Sequence, residues 1–222
     1  SKAQGMLNRR DEMGEPALVS ALAQNLAGNT AALASEEARH AIARASDLLM
    51  AADRIFCVGA RSAYPVSFIF SYVLGYFWPG GRIVGGSRGD VDFDSMFDIT
   101  ASDAVLAASF NPYAKITVDA IDIAAAAGAT IVSITDSEVE GIGPISSVVI
   151  PVAKNSPSFF DTMTPAFAAA EILAATMASR MGPEVMRRVR KREERLAALS
   201  VWSGVTGREP LEAPEGRETL DN

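Results

Sequence analysis

The chain has 222 residues, 49% of them apolar, enough for one large domain with a sizeable core. Its formal net charge of −7 argues against a chain that grips a phosphate backbone, which needs a basic face. The single cysteine excludes a disulfide framework, and the single histidine excludes histidine-rich metal centres and argues against a Ser-His-Asp triad.

Residues 1–13 are polar with weak periodicity, so 1–35 is expected to be a linker followed by one helix. From Pro16 to Met50 apolar residues recur at helical spacing: Leu18, Leu22, Leu26 and Leu33, then Ile42, Ala45, Leu48 and Leu49. Ser35 marks a fresh helix start, which predicts two helices over about 15–33 and 36–51. His40 falls in the second and reads as a surface or interface residue. The rhythm then changes. "RIFCVGA" (54–60) is a continuous apolar strand in which Cys57 reads as a small buried hydrophobe. "SAYPVSFIFSYVLGYF" (62–77) is an aromatic helix with Pro65 in its first turn, where a missing N–H costs nothing.

"GRIVGG" (81–86) is a short strand. Its glycines do not follow a strand, so they fail as a dinucleotide fingerprint, and a GxxxxGK[ST] loop is absent. "RGD" (88–90) reads as a chance tripeptide. "DAVLAASF" (103–110) is a longer strand, and "AKITVDAIDIAAAAG" (114–128) a helix ended by Gly128. "ATIVSITD" (129–136) and "SSVVIPVA" (146–153) are strands, and 160–182 is an apolar helix. The charged stretch 183–199 is a helix whose interleaved glutamates favour a solvated or partner-facing role over a nucleic-acid arm. Residues 200–222, rich in Gly, Pro and Glu, are expected to be disordered.

Continuous apolar strands alternating with helices predict an α/β fold: a three-layer α/β/α sandwich around a five-stranded parallel sheet, with extra helices at the N-terminal end. The longest apolar run, "AIDIAAAAGATIVSI", is broken by Asp122 and Gly128, too soon to span a bilayer. The opening residues do not read as a signal peptide. A cytoplasmic protein without membrane contact is expected.

Open parallel sheets bind ligands at the carboxyl ends of their strands. The first strand ends in "VGARSAYP", placing Arg61, Ser62 and Tyr64 at a helix start. The third ends in "SFNPYAKIT", with Ser109, Asn111, Tyr113 and Lys115. Unpaired N–H groups at a helix start, with serine hydroxyls, suit a phosphate or carboxylate. Ser, Asn and Pro also serve as caps and turns; two such junctions on neighbouring strands favour a site. In "NSPSFFDTMTPAF" (155–167), Ser158, Asp161, Thr162 and Thr164 alternate with Phe159 and Phe160. Capping accounts for Asp161 or Thr162, and the rest suits a pocket wall or a subunit contact.

"VGARSAYPVSF", "SFNPY", "AGATIVSITDS" and "SPSFFDT" together resemble the SIS (sugar isomerase) domain, in particular the effector-binding domain of RpiR-type bacterial transcription regulators. The resemblance covers about residues 36–180. It implies a domain over 36–182 with a flavodoxin-like strand order, flanked by 1–35 and by a charged helix and tail over 183–222. It further implies a homodimer or homotetramer that senses a sugar phosphate or related acid, with neither cofactor nor metal. DNA would be bound only through a helix-turn-helix domain that precedes it in full-length regulators. That module is expected to be missing here, because residues 1–50 lack a compact basic three-helix pattern and the chain starts at Ser1.

The common phosphate loop of the family reads Ser-x-Ser-Gly-x-Thr. Here Ser109 keeps the first serine, Asn111 replaces the second, Pro112 replaces the glycine and Ala114 the threonine. Arg61 or Ser62 takes the serine position at the first junction. Arg61, Ser62, Ser109, Asn111, Tyr113, Lys115 and Ser158 are therefore the expected ligand contacts, with charge from Arg61 and Lys115 in place of lost hydroxyls. A catalytic alternative, a sugar-phosphate isomerase, needs a base. Glu138, Glu140 and Glu171 are candidates, with His40 reaching across an interface. A third reading is a pure oligomerisation module built on the helices over 62–77 and 160–180.

Overall fold

The computed structural model describes residues 1–86 and 92–198; the RGD tripeptide and the tail 200–222 lie outside the described residues. Three helices come first: α1 (Lys2–Met13), α2 (Glu15–Ala31) and α3 (Glu36–Met50). The expectation of a linker over 1–13 is corrected, since α1 is helical throughout, with the Ser1 hydroxyl accepting from the Gln4 N–H. Its residues show no apolar period because none of them is buried. Gly14, at φ 81, turns the chain into α2. Ser35 caps α3 as expected, accepting from the Ala38 N–H at 3.2 Å.

The sheet follows: β1 (Ile55–Gly59), α4 (Tyr64–Phe77), β2 (Gly81–Ile83), β3 (Ala104–Ala108), α5 (Lys115–Ala126), β4 (Thr130–Thr135), β5 (Val148–Pro151), α6 (Thr164–Arg180) and α7 (Pro183–Ala198). All five strands are parallel, in the order β2-β1-β3-β4-β5. The elements match the expected ones, with ends that coincide or fall up to four residues short. The largest difference is α6, which begins at Thr164 because residues 157–160 bend and 161–163 are irregular.

Side chains alternate faces along each strand. Ile55 and Cys57 of β1 join Leu106, Ile134 and Ile150 beneath α3, α4 and α6, with Phe70, Leu74, Leu173 and Met177. Phe56 and Val58 face the other way, with Val105, Ile121, Ile131 and Ile142 beside α5. Both faces are thus buried, which is why the strands read as unbroken apolar runs. Each fully buried Phe or Leu contributes about 1.5–3 kcal/mol.

The amino edge of the sheet is fastened by charge. Arg54 donates to both oxygens of Asp103 at 2.8 and 2.7 Å and to Asp98 at 2.7 Å, and the Thr100 N–H and hydroxyl also donate to Asp103. Helix α7 is tied to the end of α4: Arg188 and Arg192 donate to the Phe77 and Gly75 carbonyls, and Arg192 lies 4.4 Å over the Tyr76 ring. These are the carbonyls a helix end leaves unpaired. On the outer face of α4, Tyr64, Phe68, Tyr72 and Tyr76 follow one another in steps of four residues, with centroids 5.8, 6.1 and 5.5 Å apart in tilted, stacked and edge-to-face pairs.

Candidate functional site

After β1 the chain crosses to β2 on one side, and β3 pairs with β1 on the other. The strand order therefore reverses between β1 and β3, the kind of place where open parallel sheets take ligands, outside the carboxyl ends of the strands. The two polar junctions expected from sequence lie on these adjacent strands, with Gly59 in register with Ala108.

At the end of β1, a methyl group on Gly59 would lie 2.8 Å from the Ser67 hydroxyl oxygen and 2.9 Å from the Ala63 carbonyl. Glycine lets α4 seat directly on the strand end. Arg61 follows with φ 56, the left-handed region, and both Arg61 and Ser62 are exposed. A non-glycine residue held there stores of order 1 kcal/mol, and such residues concentrate at ligand-binding edges.

At the end of β3, Ser109 is buried, at 2% exposure, and its N–H reaches the Ile134 carbonyl at 3.4 Å. The Asn111–Pro112 bond is cis. The Asn111 N–H donates to Asp136 at 3.2 Å, and its carbonyl accepts from the Lys154 ammonium. The Tyr113 ring packs on Gly141, where a methyl group would fall 2.4 Å from the ring. Its hydroxyl is buried without a hydrogen-bond partner among the described residues. Burial, and then the nearby Asp136 carboxylate, push the phenol's pKa up. Helix α5 starts without a side-chain cap, leaving its first N–H groups for water or a ligand.

The centre of this arrangement is a residue that the sequence reading missed. Lys154, three residues beyond β5, lies 3.1 Å from Asp136 and 3.3 Å from Asp161, with its side chain only 19% exposed. Asp136 directly follows β4, and Asp161 sits in the turn before α6. Asp161 also pairs with Lys2 of α1. Lys2 first, then Lys154, hold the Asp161 carboxyl below the usual carboxylate range. Asp161 is thus an ion-pair residue rather than the cap considered from sequence; Thr162 fills the local role, accepting from the Thr164 N–H at 3.1 Å.

Asn111 and Tyr113 come together with Asp136 and Lys154, and Arg61, Ser62 and Ser109 stand at the neighbouring strand ends. Lys115 is not drawn in: its side chain is 86% exposed and its ammonium is bound to Asp119 at 2.6 Å. Ser158 is half-buried in the loop that carries Lys154, where its hydroxyl accepts from the Phe160 N–H at 3.4 Å. Of the candidate bases, Glu138 and Glu140 are exposed on the loop after β4, and Glu171 and His40 are exposed on α6 and α3. Among the described residues no helix is long and apolar enough to cross a membrane.

The model of the SIS domain family matches residues 48–176. No curated protein matches the sequence. Solved structures share the fold. The RpiR transcription factor of Sphaerobacter thermophilus (sugar isomerase domain) is 21% identical with a TM-score of 0.70, over 78% of this chain and 96% of that one. The Vibrio vulnificus NanR protein complexed with ManNAc-6P is 18% identical with a TM-score of 0.69, over 87% and 73%. A hypothetical protein of Methanococcus jannaschii, for which 3-hexulose-6-phosphate isomerase function was inferred, is 14% identical with a TM-score of 0.60, over 77% and 96%.

Proposed function

Because the chain belongs to the SIS domain family, we propose that it is a non-catalytic effector-sensing domain of an RpiR-type transcription regulator, taking up a sugar phosphate or related sugar acid at the β1/β3 crevice. The observation that carries this reading is the position of Lys154. Its ammonium sits on the Asn111 carbonyl, in the turn whose sequence replaces two of the family's hydroxyls. Lys154 is flanked by Asp136 and Asp161, and an anion that shares the ammonium with them takes from it the hydrogen bonds those hydroxyls would have given. Arg61, Ser62, Ser109, Asn111, Tyr113 and Lys154 form the proposed contact set, with Ser158 at its rim. The likeness to NanR complexed with ManNAc-6P supports a phosphorylated sugar as the first class to test.

In this reading the domain works as a homodimer or homotetramer through the aromatic face of α4, and DNA is contacted by a separate helix-turn-helix module. The isomerase alternative draws on the likeness to the Methanococcus protein. It needs a base beside the substrate carbon, and the four candidates from sequence all lie exposed.

A thermal-shift screen against sugar phosphates and sugar acids tests the reading. A hit is expected to raise Tm, and Ser109→Ala is expected to shrink the rise. No hit in either class, with Ser109→Ala indistinguishable, would remove the support for sensing. Turnover of a sugar phosphate, lost in a Glu→Gln variant, would establish the isomerase.

A further inference from the structure

We propose that Asp161 couples the docking of helix α1 to the charge state of the crevice, so that an anionic ligand beside Lys154 clamps α1 down and a neutral ligand does not. The proposal rests on the effector reading of the crevice and adds a means by which occupancy is communicated.

Helix α1 has no buried residue. Its ties to the loop between β5 and α6 are polar: the Lys2–Asp161 ion pair, and the Arg9 guanidinium donating to the Pro157 carbonyl at 3.3 Å. An element held by so few apolar contacts opens easily, and each polar tie then governs how often it is docked. One of the two ties ends on Asp161, which Lys154 also uses at 3.3 Å.

The charges in this chain of contacts balance. Lys2 and Lys154 bring two positive charges; Asp136 and Asp161 bring two negative. A phosphate or carboxylate that takes hydrogen bonds from Lys154 adds negative charge to a neutral cluster. Lys154 is then shared with the ligand, and Asp161 is left to Lys2. Both changes strengthen the hold on the Lys2 ammonium. By reciprocity, a docked α1 raises the affinity for the anion by the same factor. The Lys2 side chain is 57% exposed, which confines the factor to about two- to fivefold. An uncharged sugar in the same place leaves the balance unaltered.

Hydrogen exchange of residues 2–13 in the full chain reads the docking directly. The probes are ManNAc-6P, inorganic phosphate and uncharged N-acetylmannosamine. The phosphate ester is expected to slow exchange of α1 about two- to fivefold, and N-acetylmannosamine to leave it unchanged. Lys2→Ala is expected to abolish the slowing and to weaken binding of the ester by the same factor. A phosphate ester that binds by thermal shift while α1 exchange stays constant would overturn the coupling and leave the effector reading standing. If no probe binds, the effector reading fails for these ligands, and two ligand-free variants decide the coupling. Lys154→Met must then slow α1 exchange by giving Asp161 wholly to Lys2, and Asp161→Asn must speed it. Equal exchange in the parent and both variants would sink the proposal.

Discussion

The Lys154 ammonium stands 3.1 Å from the Asp136 carboxylate, joining the segments that leave β4 and β5. Both side chains are largely buried, so the pair is screened less than a surface ion pair and its loss leaves charge unmatched. Lys154→Met removes the shared partner of Asp136 and Asp161. It is expected to lower the unfolding free energy by about 1–3 kcal/mol in urea titrations. Lys154→Arg should recover part of that loss.

At the opposite edge of the sheet, Asp103 makes the fold sensitive to acid. Hydrogen bonds from Arg54 lower its pKa from 3.8 to about 2. A carboxyl depressed by folding contributes stability above its unfolded pKa, and the contribution is lost as pH falls through the folded value. The shift corresponds to about 2 kcal/mol. Urea stability should therefore fall between about pH 4 and pH 2, and Asp103→Asn should flatten that limb while lowering stability at pH 7.

Tyr113 separates binding from stability. Its hydroxyl has no partner among the described residues, so Tyr113→Phe should leave the urea midpoint unchanged or slightly higher. If the hydroxyl meets a ligand, the same variant lowers affinity in calorimetric titration. Gly141→Ala does the reverse. With φ +58 and the Tyr113 ring in the way, the variant should cost about 1–3 kcal/mol.

Cys57 gives an independent measure of opening. Burial pushes its pKa up to about 12, and the thiolate is the reactive form. Iodoacetamide is expected to label the native chain only as fast as β1 is exposed, so the labelling rate should rise with urea in step with unfolding. Prompt stoichiometric labelling in buffer would contradict the burial of the strand.

The sheet was legible because its central strands β1, β3 and β4 are covered on both faces, which turns "RIFCVGA" and "ATIVSITD" into signals that need no tertiary knowledge. Helix α1 was not, because a helix that buries nothing leaves no period to read. The two serine-bearing junctions were found by looking at strand ends, and the same rule applied to β4 and β5 points to Asp136 and Lys154. What local pattern does not reveal is their union. Lys2, Asn111, Asp136, Lys154 and Asp161 meet only because the crossovers bring four segments together, and ion-pair partners on different segments have no characteristic spacing. Lys115 misled for the converse reason: Asp119, one helical turn away, already holds it.

Helix α4 has a consequence for how the two ends of the molecule communicate. It begins beside Arg61, in its left-handed conformation, and ends where Arg188 and Arg192 grip its final carbonyls. Its 14 residues make a rod about 21 Å long, lined along one side by four aromatic rings in contact. A rod of this kind tilts or slides as one piece. If Arg61 meets a ligand as proposed, a shift of the start of α4 would be carried to the contacts of α7 at its other end.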